Sequence, residues 1–277
     1  MTTSQVVQTA GAAQRSKALA NAVTDLIEGL ERWELWSTLG WHDIRQRYRR
    51  SVVGPFWLTL SMGVMVAGLA YLYAGLMGQN IKTYLPYVSL GMIVFSLISS
   101  IASDGSSVFI TSAQMILQIK APLSVYIYQM LWRNILIFAH NMCIYILVLI
   151  FFKVEIGWNL LLSLFGLFLV ITNGLWAGML LGGLSARFRD VPPIVSSVMQ
   201  VAFFLTPIFW TPGSLPNREI FVHMNPFYYL IEVVRMPLLG HTPELTIWLA
   251  AIGINCVSAA VAIPFYARYR ARIAYWV

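Results

Sequence analysis

Arginine side chains crowd the entry to the first long apolar segment. They are Arg45, Arg47, Arg49 and Arg50, and a Gly-Pro pair at positions 54 and 55 follows them. A guanidinium can donate paired hydrogen bonds to a phosphate, so this cluster suits the headgroup of a phospholipid or of a lipid-linked substrate. Tryptophans, which favour the headgroup region of a membrane, precede the arginines at Trp33, Trp36 and Trp41. We therefore predict a membrane-surface site between residues 33 and 50.

The sequence offers little for catalysis or metal binding. Four acidic side chains near the predicted membrane faces are isolated in sequence: Asp104, Glu155, Asp190 and Glu232. Acid–base or metal chemistry would need such groups in pairs on one side of the membrane. The phosphate-binding pattern G-x-x-x-x-G-K-[ST] is absent from the sequence, and Cys143 and Cys256 are interpreted as packing residues inside apolar segments. We expect no catalytic, cofactor or metal site.

The elements that position these residues must lie in lipid. Hydrophobic residues make up 58% of the 277 and charged residues only 10%, an apolar excess that a soluble domain of this size could not bury. Lipid offers no hydrogen bonds, so each crossing must be a helix of about 20 apolar residues. Six stretches qualify: 52–76, 84–103, 122–152, 158–184, 193–210 and 245–266. We predict an all-α polytopic membrane protein with six transmembrane helices over 52–277.

The basic residues predict the orientation of these helices. Thirteen of the 18 lysines and arginines fall in the segment before the first span, in the loops on the same side, or after the last span; four fall opposite, and Arg133 is ambiguous. Cytoplasmic flanks retain positive charge during insertion, so both termini of this multi-pass membrane protein are predicted in the cytoplasm. The net charge of +7 is then mostly a topology signal, and no nucleic-acid partner is expected.

Two further regions are predicted before the first span. Residues 1–18 are polar, small and aperiodic, which indicates a disordered tail. Residues 19–51 read as a cytoplasmic amphipathic interface helix followed by the basic entry segment. The apolar positions at helical spacing are Val23, Leu26, Ile27, Leu30 and Trp33. The sequence leaves open whether this helix only anchors the chain at the membrane surface or gates the entry of a lipid-linked substrate.

The predicted third span carries a polar stripe of Arg133, Asn134, His140 and Asn141, which should face protein or water. Arg133 is close to mid-bilayer if the span begins near Pro122, and interfacial if it begins near Asn134; the sequence favours the interfacial placement. His140 is interpreted as a residue that hydrogen-bonds to another helix.

Two connecting segments are too polar or too short to cross. Residues 104–122 are predicted to form a short amphipathic cytoplasmic helix with an apolar face of Val108, Phe109, Met115, Ile116 and Ile119.

Pro207 should bend or break the fifth span, because it removes a backbone donor. The outer segment 211–244 contains two short apolar strings, 220–222 and 227–234, which predict re-entrant helices that dip partway into the outer leaflet.

Aromatic residues gather toward the outer half of the predicted bundle. Flat rings there could line a channel and slide past sugar faces, although interfacial belts also collect such residues. The candidates for the channel or gate are Tyr71, Tyr84, Tyr87, Phe203, Phe204, Phe209, Trp210, Phe227, Tyr228 and Tyr229, together with Arg235.

Four strings, in this order, resemble the membrane subunits of type-2 ABC exporters that move polysaccharides such as O-antigen, capsule and teichoic acid. They are RYRRSVVGPFW at 47–57, RFRD at 187–190, FFLTPIFW at 203–210 and NPFYYLIEVVRMPLLG at 225–240. The resemblance implies a homodimer joined by two copies of an ATPase subunit that binds ATP and Mg²⁺. It further implies that segment 104–122 docks on that ATPase, that segment 211–244 forms a periplasmic gate, and that the cargo is an undecaprenyl-linked polysaccharide, with O-antigen favoured.

Other functions remain open on the sequence alone. Within the same architecture, the chain could belong to an exporter of drugs or small lipids. From a different class, a membrane-bound polyprenyl-phosphate glycan transferase would need the paired acidic residues that the sequence does not show. We therefore expect a transport subunit and not an enzyme.

Overall fold

The computed structural model describes residues 3–49, 56–152, 157–214 and 219–277. Within them every regular element is a helix, and there is no β-strand. In chain order the helices are α1 (Thr3–Glu31), α2 (Trp33–Tyr48), α3 (Phe56–Leu76), α4 (Ile81–Thr111), α5 (Ala113–Gln118), α6 (Ser124–Phe152), α7 (Leu160–Arg187), α8 (Val191–Leu205), α9 (Glu219–His223), α10 (Pro226–Leu238) and α11 (Leu245–Trp276). The predicted all-α polytopic class is confirmed.

Five helices are long and apolar enough to cross a membrane: α3, α4, α6, α7 and α11. The stretch predicted as the fifth of six spans, 193–210, is a shorter helix. α8 has 15 residues and is about 22 Å long; a non-helical segment, 206–210, follows it. The helix ends two residues before Pro207, because a proline disfavours the helical conformation of the residue before it. The predicted break at Pro207 is confirmed, and the helical part of the predicted span ends at Leu205.

Helix α4 forms the centre of the bundle, and α3, α6, α7, α8 and α10 all pack on it. Small residues allow α4 and α7 to approach closely. A Cβ added to Gly105 would lie 3.2 Å from the Cα of Gly178, and one added to Gly182 would lie 2.7 Å from the Val108 side chain. Such glycine rows let membrane helices approach closely enough for extensive van der Waals contact.

The N-terminal region differs from its prediction. Helix α1 begins at Thr3, inside the segment 1–18 for which the sequence predicted disorder. That segment is rich in alanine, the best helix former. Residues adjacent to an established helical nucleus extend the helix at little cost. The nucleus is the docked half of α1, which packs on α6 and α11. Arg32, with φ −80° and ψ 41°, separates α1 from α2, so the predicted single interface helix is two helices.

Candidate functional site

The interface helix α1 is fastened to the bundle by a buried carboxylate. Asp25 accepts hydrogen bonds from the backbone N–H groups of Leu123 and Ser124, each at 3.2 Å, and from the Tyr266 hydroxyl at 2.6 Å. Arg270 adds an ion pair at 3.6 Å. The first N–H groups of a helix have no partner within it and favour a negative charge, so Asp25 caps α6 from another helix.

Helix α1 docks through its small and polar face. The face against the bundle carries Ala22, Asp25, Leu26 and Gly29, and the outward face carries Val23, Ile27 and Leu30; Trp33, the first residue of α2, is exposed as well. A Cβ at Gly29 would lie 2.0 Å from the Ser124 hydroxyl, which shows how close the backbone comes. The apolar stripe predicted from the sequence is therefore exposed, apart from Leu26, and is available to lipid or to a partner.

The three tryptophans of the predicted surface site have different surroundings. Trp36 is half-buried and packs against the rings of Tyr128 and Trp132, with centroids 6.1 Å and 6.0 Å away. Trp33 and Trp41 are exposed. Trp36 therefore holds α2 on α6, whereas Trp33 and Trp41 can reach a headgroup region.

The arginine cluster is only partly described. Arg45 and Arg49 are exposed at the end of α2. The side chain of Arg47 and the whole of Arg50 lie outside the described residues. The two visible arginines are free to meet a phosphate at the point where α2 leads into the first span.

Arg133 links three helices. Its Nη1 donates to Asp43 on α2 and its Nη2 donates to Asp104 on α4, each at 2.9 Å. Gln129 donates to the same oxygen of Asp43 at 2.9 Å, and Asn134 donates to the same oxygen of Asp104 at 3.0 Å. Asp104, which looked isolated in sequence, thus shares one guanidinium with Asp43.

Arg133 lies on the part of α6 that packs against α2. The ring of His140 lies 6.3 Å from that of Phe56 on α3, and Arg133 is seven residues earlier on α6, about 10 Å nearer to α2. The interfacial depth of Arg133 stays a prediction. His140 itself donates to the Leu136 carbonyl of its own helix at 2.7 Å, so the predicted bond to another helix is wrong.

The predicted coupling segment 104–122 is divided between two helices. α4 continues to Thr111, so Val108 and Phe109 belong to that long helix, and they are 3% and 0% exposed inside the bundle. Their predicted role on a docking face is wrong in this structure, because a partner could not reach them. The prediction treated the run DGSS as solvent-facing, whereas its small residues let α4 pack against α7.

The short helix α5 carries the accessible apolar groups of this segment. Met115 and Ile119 are exposed, and Ile116 packs partly against the bundle. Leu117, which the sequence reasoning missed, is 67% exposed. α5 has no buried residue and stands beside Lys120, so it presents an apolar knob with a basic rim.

At the opposite end of the bundle, α4 side chains bind the non-helical backbone that follows α8. The Tyr84 hydroxyl donates to the carbonyl of Phe209. The Tyr87 hydroxyl lies 3.2 Å from the carbonyl oxygen of Pro207 and 3.3 Å from that of Trp210. Non-helical backbone at membrane depth is tolerated only where protein or water satisfies its polar groups. These tyrosines are therefore structural partners of segment 206–210.

Helix α10 supplies a buried ion pair to the same segment. Arg235 is 0% exposed, pairs with Glu232, and donates to the Pro207 carbonyl at 2.9 Å. Its guanidinium lies 3.8 Å from the centroid of the Tyr87 ring. A Cβ at Gly91 would lie 2.9 Å from Nη1, so the glycine leaves room for the charge. We call Tyr87, Glu232 and Arg235 the latch.

Helices α9 and α10 match the two predicted re-entrant helices. The backbone of Val233 on α10 approaches Gly166, the seventh residue of α7, so closely that a Cβ there would lie 2.3 Å from the Val233 carbonyl. Gly91 is the eleventh residue of α4. These contacts place α10 about 9 to 15 Å from the ends of its neighbours, partway along the bundle.

The remaining aromatic candidates fall into two groups. Phe203, Phe209 and Phe227 join a ring cluster: Phe203 lies 5.6 Å from Phe209 and 5.5 Å from Phe95, and Phe95 lies 6.3 Å from Phe227. Half-buried rings beside the latch are Trp210, Tyr228 and Tyr229. Phe204 is exposed, but its ring lies 5.3 Å from that of Phe203 and 6.3 Å from that of Phe209, so it forms the outer edge of the ring cluster. Tyr71 is 82% exposed and belongs to neither group.

Comparison with known proteins assigns the family. The sequence pattern of the ABC-2 type transporter family matches residues 34–239, about three quarters of the chain. This chain belongs to the ABC-2 type transporter family. The match to this family of membrane transport subunits includes the Arg133 junction, α5 and the latch, and it begins after α1. The O-antigen export system permease protein RfbA of Myxococcus xanthus is 21% identical over 227 residues, covering 80% of this ABC-2 chain and 87% of the relative.

Within the described part of this ABC-2 chain, no group of three or more His, Cys, Asp or Glu side chains is arranged to hold a metal ion. The polar groups that the fold does bring together, at Arg133 and at the latch, join helices to one another.

Proposed function

We propose that this ABC-2 chain is the permease subunit of an ATP-driven exporter that moves a lipid-linked polysaccharide across the bacterial inner membrane, with both termini in the cytoplasm. The observation that carries the proposal is the likeness to an O-antigen export permease over most of both chains. O-antigen, a component of lipopolysaccharide, is accordingly the favoured cargo, carried on an undecaprenyl lipid.

The cytoplasmic end of the proposed permease suits a separate motor. α5 is apolar, exposed and linked to the long helix α4 through Ser112 alone. An apolar knob with a polar rim is the usual form of a protein-docking surface. We assign it to an ATPase subunit, present in two copies, which binds ATP and Mg²⁺.

A second copy of the permease completes the conduit in this proposal. Half of the α8 surface is uncovered within one chain, including Ile194, Val198, Val201 and Leu205. The same face also carries Ser197 and Gln200, both exposed. A mixed apolar and polar face suits a pathway between two subunits better than contact with lipid tails alone. The pathway would run along α8 toward the ring cluster of Phe203, Phe209 and Phe227.

The two ends of the chain then take complementary roles. The exposed arginines Arg45 and Arg49 recognise the phosphate of the cargo where α2 meets the membrane. The latch holds segment 206–210 in place at the outer end and closes the path at rest. ATP binding draws the two motor subunits together, displaces α5 and opens the outer end.

Two experiments test the proposed function. In cells that lack this chain, undecaprenyl-linked glycan should accumulate inside and disappear from the surface, and the wild-type gene should restore export. An ATPase subunit should co-purify with the wild-type chain and be lost with Leu117→Asp, while the exposed control Tyr71→Phe retains it. Normal surface glycan in the deletion strain would contradict the polysaccharide cargo. Accumulation of a drug or small lipid instead would favour a different ABC-2 exporter.

A further inference from the structure

Arg133 joins the helix that leads to the entry segment with the helix that carries α5. One nitrogen of its guanidinium holds Asp43 on α2 and the other holds Asp104 on α4, both at 2.9 Å. Charge-assisted bonds of this kind are short, strong and directional. The Arg133 side chain is 20% exposed, so water weakens these bonds without replacing them.

The α4 arm of this junction is close to α5. Asp104 lies seven residues before the end of α4 at Thr111, about 10 Å along one uninterrupted helix, and Ser112 alone separates α4 from α5. Helix α4 packs against α7 at Gly105. Because α4 is continuous between Asp104 and its end, a displacement of α5 would move Asp104 with it.

Helix α2, which carries Asp43, packs tightly against α6. A Cβ at Gly40 would lie 3.0 Å from the Trp132 ring and 3.1 Å from the Gln129 carbonyl oxygen, so the α2 and α6 backbones are in close contact. Ile44, one residue after Asp43, is buried. Arg45 and Arg49 follow on the same helix, so a movement of Asp43 moves the entry arginines.

The junction also has unused hydrogen-bonding capacity. Arg133 Nε, Gln129 Oε1 and Asn134 Oδ1 are buried and have no hydrogen-bond partner in the described part of the chain. Buried polar groups are nearly always satisfied, and each exception needs an explanation. The only donor among the three is Arg133 Nε, and a carboxylate that shifts along the guanidinium can accept from it, as a junction with two arrangements requires.

We propose that Arg133 is a positioning residue that transmits displacement of α5 to the entry helix α2 through Asp104 and Asp43. The inference rests on the proposed function, because it takes α5 as the element that the ATPase moves. The two ion pairs act in series, so breaking either one interrupts the same connection.

Backbone hydrogen exchange on the full chain in lipid nanodiscs tests the connection without cargo or motor. Asp43→Asn weakens the α2 arm alone, yet it should raise exchange at amides 113–118 of α5 by about fivefold. Asp104→Asn should raise exchange in α2 by a similar factor. Glu34→Gln, an exposed change on α2, is the control and should alter neither. Effects confined to the mutated helix would overturn the proposal.

The assembled exporter gives a second readout. Arg133→Gln should retain the ATPase subunit and ATP hydrolysis but lower the glycan exported per ATP by about tenfold, and adding Asp43→Asn should lower it no further. Hydrolysis and export that fall together with melting temperature would show a merely structural role and contradict the proposal. A wild-type complex that exports no glycan contradicts the proposed function alone, because the exchange experiment still decides the connection between α5 and α2.

Discussion

The latch makes the sharpest prediction, through the substitution Arg235→Met. Arg235 is 0% exposed and Glu232 is almost as deeply buried, so the substitution leaves a buried carboxylate without its counter-charge. Removing one partner of a buried pair costs about 3–5 kcal/mol. Loss of the bond to the Pro207 carbonyl adds about 1 kcal/mol. The unfolding free energy of the purified chain in mixed micelles, measured by titration with SDS, should fall by about 4–6 kcal/mol.

A second variant separates charge from packing. The double variant Glu232→Leu with Arg235→Met leaves no buried charge at the latch. Its unfolding free energy should therefore return to within about 2 kcal/mol of wild type. The remaining loss comes from the missing hydrogen bond to the Pro207 carbonyl and the missing contact with the Tyr87 ring. Arg272→Met, at an exposed position, is the control and should change stability by less than about 0.5 kcal/mol. Equal losses in the single and double variants would refute the reasoning.

Three further predictions concern the docking of α1, the exposed helix α5, and the contact between α7 and α10. Asp25→Asn should loosen α1 from α6 and raise protease cleavage within α1 by about tenfold, whereas the exposed change Glu28→Gln should not; equal cleavage of both variants would contradict the cap. Leu117→Asp should lower the affinity for the ATPase subunit at least tenfold, about 1.4 kcal/mol, in a pull-down titration, with melting temperature unchanged. Gly166→Ala should destabilise the chain by about 1–3 kcal/mol by forcing α10 off α7, whereas Gly68→Ala, which meets no atom within 4 Å, should not; similar melting temperatures would refute the close contact.

Hydropathy and proline chemistry account for most of the fold. Lipid requires long apolar helices, so five of the six spans could be predicted from local sequence. The end of α8 follows from Pro207, and α10 follows from an apolar string too short to cross. What local sequence could not show is that the non-helical segment 206–210 is held by Tyr84, Tyr87 and Arg235.

The polar junctions could not be predicted for a different reason. Asp43 and Asp104 lie 61 positions apart and meet only because α2 and α4 both pack against Arg133 on α6. A search for acidic residues paired in sequence therefore missed them. Asp25 did carry a signal, since it shares a helix face with Ala22 and Gly29, where an acid among small residues indicates close docking.

The burial of Val108 and Phe109 shows the same limit. Polarity averaged over 104–122 suggested a surface segment, but its glycine and serines are small enough to lie between helices. Whether a small polar residue faces water or a neighbouring backbone depends on a partner far away in sequence, here Gly178 on α7.

The proposed function makes this ABC-2 chain a conduit that a separate ATPase drives. Lipid vesicles that hold the chain with and without its co-purified ATPase subunit test the claim directly, with undecaprenyl-linked glycan on one face and a glycan-cleaving enzyme on the other. The account predicts cleavage only when chain, ATPase and ATP are all present, and its loss with Leu117→Asp. Cleavage in vesicles that hold the chain alone, or at equal rates with and without ATP, would contradict it.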